Sequence, residues 1–318
     1  MIITVTLNPS LDRSLTVPRI TFGGVLRGTA SRLDWGGKGF NVSRALQALG
    51  AESVAMGLVG GPTGQVLERG LGEMGIATDL VSIVGETRTN VVVAEAEGER
   101  YVKVNEPGPT IHQEELVVFL DRVRARICPG DLWILSGSLP SDVPSGFYAR
   151  LVRLVQARGA RVLLDASGEP LRLGCAASPF LVKPNAVEAA EMTGLQIQTE
   201  TDAFDAARAF LRHGVEYVAL SLGARGLLLA SAQQVVRAKP PRVQAQNPVG
   251  AGDALLAGLA WALERDLAPE EMARWGVAAG TAAAMHEGVS TGTRAEIKAL
   301  YAEVRTETFR VCLERRIS

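Results

Sequence analysis

Residues 250–253 read Gly-Ala-Gly-Asp and run straight into ALLAGLAWAL, residues 254–263. Small residues at a helix entrance can aim successive backbone N–H groups at one point, and the helix dipole favours negative charge there. Asp is also a favoured capping residue, so a cap is the ordinary explanation of Asp253 taken alone. A cap, however, is usually solvated, whereas this helix is apolar on every face and therefore buried. A carboxylate beside amide donors at such a place is better explained by a reaction in which negative charge develops.

Three further stretches could do chemistry. GGKGFN, residues 36–41, precedes the amphipathic VSRALQALG and repeats the same helix-entrance physics. It is not a P-loop, which needs GxxxxGK followed by Ser or Thr, and a simple tight turn explains it equally well in isolation. VKPNAVE, residues 182–188, sets Asn185 and Glu188 one turn apart on one helix face, suited to orienting metal-bound water or to forming a capping box. SLGARG, residues 221–226, is a strand-to-loop turn of small residues able to pass close under a nucleotide. His112, His213 and His286 lie far apart and show no metal-ligand spacing.

These pieces need elements to hold them. Short apolar runs (IITVTL, SVAMGLV, DLWILSG, RVLLDAS, FLVKPN, YVALSLG) alternate with helical patterns such as TGQVLERGLGEMG, GFYARLVRLVQARG, AFDAARAFLRHG and EEMARWGVAAGTAAAMHEG. Gly159, Gly214 and Gly288 stand where left-handed helix caps are wanted. The alternation predicts an α/β fold with a mostly parallel sheet covered on both faces. Residues 13–35 and 88–105 break that rhythm and predict hairpins, around Gly23-Gly24 and around Gly98, forming a small separate sheet that projects as a lid or pairs with a second copy. No repeat or linker divides the 318 residues, so a single domain, 1–318, is expected, with the lid strands inserted at about 13–35 and 88–105. TETFRVCLERRIS at the end carries no clear signal and is expected to fray.

Bulk properties exclude several partner classes. A net charge of -1 gives no global field for nucleic acid or an acidic membrane, so an anionic ligand must be held by local cations. The start MIITVTLNPSLDR reads as a strand and an Asn-Pro turn, not a leader peptide, and no window is apolar enough to span a bilayer. Cys128, Cys175 and Cys312 form no CxxC pair and fit a reducing cytoplasm.

In this order, TLNPSLD, GGKGFN, TRTN, NEPGP, SGSLP, VKPNAVE, SLGARG, GAGD and GVAAGTAAAMHEG resemble the ribokinase-like (PfkB) carbohydrate kinases over nearly the whole chain. TLNPSLD, KVNEPGP and SGSLP look like the bacterial branch of 1-phosphofructokinases and tagatose-6-phosphate kinases. The resemblance implies a doubly wound α/β fold with a β-sheet lid, and ATP-dependent phosphorylation of a sugar phosphate with magnesium. It makes Asp253 the catalytic base and the amides of Gly250, Ala251 and Gly252 an anion hole. Asp12, Gly36, Gly37 and Asn41 would bind sugar hydroxyls with Lys38 close by, and Arg27, Arg88 and Ser138 would grip the phosphate already present. Lys183, Asn185, Ser221, Gly223 and Gly226 match nucleotide-contacting positions, Val277 and Thr281 would line adenine, and Glu188 would organise magnesium through water. It also admits a monovalent cation, K+, beside GAGD, where this chain reads Asn247-Pro248. An exposed lid edge is an association hazard, so a homodimer with lid strands paired edge to edge is expected.

Overall fold

A computed structural model describes residues 1–97, 100–288 and 290–310. Ten strands form the main sheet, numbered in chain order with the rest: β1 (Ile2–Thr6), β4 (Ser53–Gly60), β5 (Ala77–Ile83), β8 (Leu132–Ser136), β9 (Arg161–Asp165), β10 (Leu181–Val182), β11 (Tyr217–Ser221), β12 (Leu227–Ala230), β13 (Gln234–Lys239) and β14 (Arg305–Arg310). Their order is β14-β13-β12-β11-β10-β9-β8-β1-β4-β5, parallel from β11 through β5 and antiparallel from β11 to β14.

Side chains alternate across this sheet with the period of a strand. Ile3 and Val5 of β1 join a core under α3 (Gln113–Arg126), α4 (Phe147–Gln156), α5 (Gly168–Cys175) and α7 (Glu200–Leu211). Ile2 joins the opposite core, under α1 (Lys38–Ala48), α8 (Ala251–Glu264), α9 (Pro269–Ala284) and α10 (Arg294–Glu303). Every residue of α8 from Asp253 to Leu263 is buried, which is why its sequence is apolar all round. A third, smaller cluster lies under α2 (Gly61–Glu73), built on Phe40, Ala55, Val59, Leu67 and Leu71.

The second sheet has four strands in the order β3-β2-β6-β7: β2 (Ser10–Val17), β3 (Ala30–Gly36), β6 (Arg88–Glu95) and β7 (Tyr101–Val104). Two antiparallel pairs, β2/β3 and β6/β7, are joined by a parallel β2/β6 ladder running from Ser10↔Arg88 to Val17↔Glu95. The first hairpin thus starts at Ser10, three residues before the expected limit, because β2 continues directly from the turn after β1. Gly23-Gly24 sits in the β2–β3 connection as expected, while the turn expected at Gly98 lies outside the described residues. Residues 305–310 are a paired edge strand, whereas fraying was expected from residue 306; residues 311–318 lie outside the described residues. No helix among the described residues is long and apolar enough to cross a membrane.

Candidate active site

β1 lies between β8 and β4, so the chain winds away from it in both directions. In open α/β sheets the crevice outside the strands' carboxyl ends at such a reversal is where ligands bind. Asn8 follows β1 there, Gly137 and Ser138 follow β8, Asp165 ends β9 and Lys183 follows β10. Asn8 Nδ2 donates to Ser138 Oγ across the reversal at 3.4 Å. A cavity of about 260 Å³ opens beside Gly137, Ser138 and Ser167.

α8 brings Asp253 to this crevice. Gly250, in the left-handed region at φ 82, is the N-cap, and no side chain caps the helix. Asp253 therefore does not serve as the cap; it sits in the first turn, only 7% exposed, and accepts a hydrogen bond from Asn41 Nδ2 at 2.8 Å. Burial, and next the charge of Asp165, push its pKa up to about 6, against the opposing pull of Lys38, the Asn41 hydrogen bond and Lys183. The Ala251 N–H donates to the Pro248 carbonyl at 3.2 Å, while the N–H groups of Gly250, Gly252 and Asp253 have no acceptor among the described residues. Such free donors are what a helix entrance offers an anion. A side chain on Gly252 would begin 3.6 Å from Lys183 Nζ, so that ammonium faces the same turn.

Asp165 is fully buried and ties the cluster together. Its Oδ1 accepts from Lys38 Nζ and its Oδ2 from Lys183 Nζ, each at 3.2 Å, with Ser136 Oγ donating at 3.4 Å. Burial would raise its pKa, but Lys183 and then Lys38 outweigh that and hold it below the usual carboxylate range. For Lys38, burial alone would lower the pKa; Asp165, then Asp253 and Glu188, outweigh it and raise it. The crevice thus holds two cations and two acids in mutual reach. Unpaired amides and ammonium groups of this kind suit a polyphosphate, and among the described residues no group of three His, Cys, Asp or Glu side chains forms a metal cage of its own.

On the small-sheet side, Asp12 Oδ1 accepts from Ser10 Oγ (2.7 Å) and Asn90 Nδ2 (2.8 Å). Gly36 lies against the same carboxylate: a side chain there would begin 2.6 Å from Asp12 Oδ2. Gly37, the N-cap of α1, holds φ 137, and its missing Cβ would meet Thr6 Cγ2 at 2.8 Å. Thr6 Oγ1, Asn8 Oδ1, Asn41 Oδ1 and Asn90 Oδ1 are all buried without a hydrogen-bond partner among the described residues, a concentration of unmet polar atoms around the end of β1. Arg88 donates to the carbonyls of Asn8 (3.0 Å), Glu106 (3.1 Å) and Pro9 (3.4 Å), so of its five N–H groups two fasten β6 to the β1–β2 turn and a third reaches the segment after β7. Burial lowers its pKa. Ser138 is exposed at the crevice. Arg27 is exposed beyond the outer Thr16↔Ala30 pair, about 13 Å of strand from Asp12, so one chain does not bring the two together.

On the other side, Asn185 bridges Ser221, whose N–H donates to the Pro184 carbonyl at 2.9 Å, and Gly223 and Gly226 form the turn that follows. Asn185 and Glu188 form the reciprocal capping box of α6 (Ala186–Thr193), each backbone N–H donating to the other's side chain at 2.9 Å. Val277 and Thr281 are buried on α9, with Thr281 Oγ1 donating to the Val277 carbonyl at 2.7 Å. Gly280 between them packs against the Ala251 carbonyl, so α9 backs the Gly-Ala-Gly turn.

Sequence reasoning did not single out Asp165, Arg44, Ser10 or Asn90. Asp165 had a readable signal, since RVLLDAS ends a continuous apolar strand on an acid, as FLVKPN does on Lys183. Arg44 is one turn beyond Asn41 on α1, donates from Nη2 to the Trp35 carbonyl at 2.9 Å and lies in the field of Asp34, Asp12 and Asp253.

A family model described as "pfkB family carbohydrate kinase" matches residues 7–296. The chain is 36% identical over 305 residues to the 1-phosphofructokinase of Bacillus subtilis, covering 96% of this chain and 99% of the relative. It is 34% identical over 304 residues to the ATP-dependent 6-phosphofructokinase isozyme 2 of Escherichia coli, covering 95% and 98%. The solved structure of Escherichia coli phosphofructokinase-2 in complex with potassium superposes with a TM-score of 0.90 at 33% identity, covering 95% of this chain and 98% of that one. With its reversal crevice, its buried charge cluster and a match spanning nearly its whole length, the chain belongs to the pfkB family of carbohydrate kinases and is a phosphotransferase similar to 1-phosphofructokinases.

Proposed function

We propose that the chain transfers the γ-phosphoryl group of ATP to the free primary hydroxyl of a phosphorylated ketohexose, with fructose 1-phosphate as the preferred acceptor and fructose 1,6-bisphosphate as the product. The observation that carries this reading is Asp253: a nearly buried acid, oriented by Asn41, raised to about 6 and set beside unpaired amides at the α8 entrance. A base with a pKa just below neutrality is largely ionised at working pH yet still basic enough to take a proton.

In the proposed step Asp253 accepts the hydroxyl proton as the sugar oxygen forms its bond to the γ-phosphorus and the bond to the β-phosphate bridge oxygen breaks, releasing ADP. Catalysis in such transfers comes mainly from positioning and from stabilising charge on the phosphoryl oxygens. The free N–H groups of Gly250 and Gly252 and the ammonium groups of Lys38 and Lys183 are the donors for that charge. Glu188 at the start of α6 would hold magnesium through its waters, and the ion would supply charge neutralisation to the nucleotide phosphates. Asp12, Gly36, Gly37 and Asn41 face the sugar, Arg88 and Ser138 its resident phosphate, and Lys183, Asn185, Ser221, Gly223, Gly226, Val277 and Thr281 the nucleotide.

We read residues 1–318 as one kinase domain with the small sheet as its lid. Phe22 (93% exposed), Val25 (91%), Tyr101 and Val104 leave that sheet with uncovered apolar groups, and β7 is an exposed edge. Edges and patches of this kind favour association, and the proposal is a homodimer in which two lids meet, bringing in Arg27 from the second copy. A monomer by light scattering at working concentration would count against it. Asn247 and Pro248 border the place where a potassium ion would lie; turnover equal in potassium and in tetramethylammonium salts would remove the ion from the scheme. The three-cysteine content fits a cytoplasmic reaction.

Fructose 6-phosphate is the second reading, favoured by the similar identity to the Escherichia coli 6-phosphofructokinase. Comparing kcat/KM for fructose 1-phosphate, tagatose 6-phosphate and fructose 6-phosphate decides among the acceptors. Asp253→Asn should lower kcat roughly a hundredfold or more with ATP affinity nearly unchanged. Near wild-type turnover by that variant would remove Asp253 from the mechanism.

A further inference from the structure

Helix α2 carries a glycine in its interior at position 70, where glycine is costly and alanine would normally serve better. The reason is visible in what lies over it. A Cβ on Gly70 would begin 1.7 Å from Trp35 Nε1, 2.0 Å from Cε2 and 2.4 Å from Cδ1, so the indole rests directly on the helix backbone. Gly72, two residues on, has nothing within 4 Å of the same construction.

Trp35 belongs to β3 and is the residue that the small sheet contributes to the cluster of Phe40, Leu67 and Leu71 beneath α2. Its carbonyl is held by Arg44 of α1, and its Nε1 is buried with no acceptor among the described residues, so packing rather than a hydrogen bond places the ring. Trp35 pairs with Leu11 and the next residue, Gly36, pairs with Ser10, leaving Gly36 pressed against the Asp12 carboxylate. One residue further, Gly37 begins the turn into Lys38 and Asn41. The height of the indole over α2 therefore sets where the Gly36-Gly37 turn and Asp12 stand relative to Asn41 and Asp253.

We propose that Trp35 is a positioning residue for the sugar-binding side of the crevice and that the bare backbone of α2 at Gly70 is its seat. This rests on the phosphosugar kinase reading for its kinetic test. Gly70→Ala should lift the ring, raising KM for the sugar phosphate roughly tenfold, a scale expected for sub-ångström to ångström misplacement, while KM for ATP stays within about twofold. Trp35→Leu in the Gly70→Ala background removes the ring that clashes, so the double variant should bind the sugar phosphate better than Gly70→Ala alone. Gly72→Ala on the same helix should leave both KM values at wild type and raise the melting temperature.

Wild-type KM for the sugar phosphate in Gly70→Ala, or equal rises in both KM values, would overturn the seat while leaving the kinase reading standing. Failure of the wild type to consume ATP with any of the three sugar phosphates would overturn the kinase reading instead. In that event a cycle of melting temperatures for Trp35→Leu, Gly70→Ala and their combination decides the seat: non-additive losses support it and additive losses overturn it.

Discussion

The carboxyl end of β9 and the entrance of α8 each bury one aspartate, and their surroundings push the two in opposite directions. Asp165 has an ammonium group on each oxygen and stays ionised well below the usual carboxylate range. Asp253 has a carboxamide as its donor and the charge of Asp165 nearby, and it rises to about 6. Burial is common to both, so partnership decides which acid is a fixed charge and which can exchange a proton near neutrality. On the proposed mechanism, this difference suits Asp165 to holding the lysines and Asp253 to proton transfer.

Removing Asp165 should have the largest effect on stability. Asp165→Ala leaves the ammonium of Lys183, whose side chain is 5% exposed, without its counter-ion, while the more exposed Lys38 can rehydrate. The expected loss is about 3–5 kcal/mol in urea unfolding. Because the folded-state pKa of Asp165 is depressed, the difference from wild type should be full above about pH 4 and shrink as pH falls through the depressed value. A loss under about 1 kcal/mol at neutral pH would erase the contrast between the two acids.

Asp253→Asn should act with the opposite sign. The Asp253 pKa is raised from 3.8 to about 6, so between those values the folded state binds the proton that the unfolded state has released, and stability falls as pH rises. At pH 8 the amide variant, which cannot ionise, should be more stable than wild type by about 1–3 kcal/mol, with the gain fading below about pH 4. Greater stability alongside lost turnover is the mark of a strained functional group. An Asn variant less stable than wild type at pH 8 would break the comparison from this side.

A pH–rate profile sharpens it next. kcat/KM should fall about tenfold per pH unit below an inflection near 6 and level off above it. Asp165→Asn, by deleting a charge that lifts Asp253, should move that inflection down. An inflection near 4 in the wild type would say that Asp253 is an ordinary acid. The smallest effect belongs to Asn41→Ala, which removes a donor that favours the ionised form: the inflection should shift up, with a stability cost of about 1 kcal/mol.

Much of this arrangement was readable before any coordinates. An apolar helix with an acid at its mouth announces itself through composition, and α8 is buried along that whole face. What could not be read is pairing at a distance: Asn41 and Asp253 are 212 positions apart, and Lys38 and Asp165 are 127 apart. Asp165 ends an apolar strand of the parallel sheet just as Lys183 follows one, a signal in the sequence, whereas Lys183 stood out only through the family resemblance. The outer strands β12 to β14 are antiparallel, and no α-helix separates β11, β12 and β13, so their runs lack the strand-helix alternation that marked the inner strands. Capping and metal-orienting roles for Asn185 and Glu188 use the same spacing, and the reciprocal hydrogen bonds of the cap were legible only as one of two alternatives.

The parallel ladder between β2 and β6 has a mechanical consequence. Two hairpins drawn from separate stretches of the chain are stitched along their length, so neither can swing without dragging the other. Asp12 on one and Arg88 on the other then travel as parts of a single stiff plate, anchored where the Arg88 guanidinium clasps the Asn8 and Pro9 carbonyls. With Asp12 on the hydroxyls and Arg88 on the resident phosphate, as proposed, a sugar phosphate held by the plate would be gripped at both its ends in the same instant.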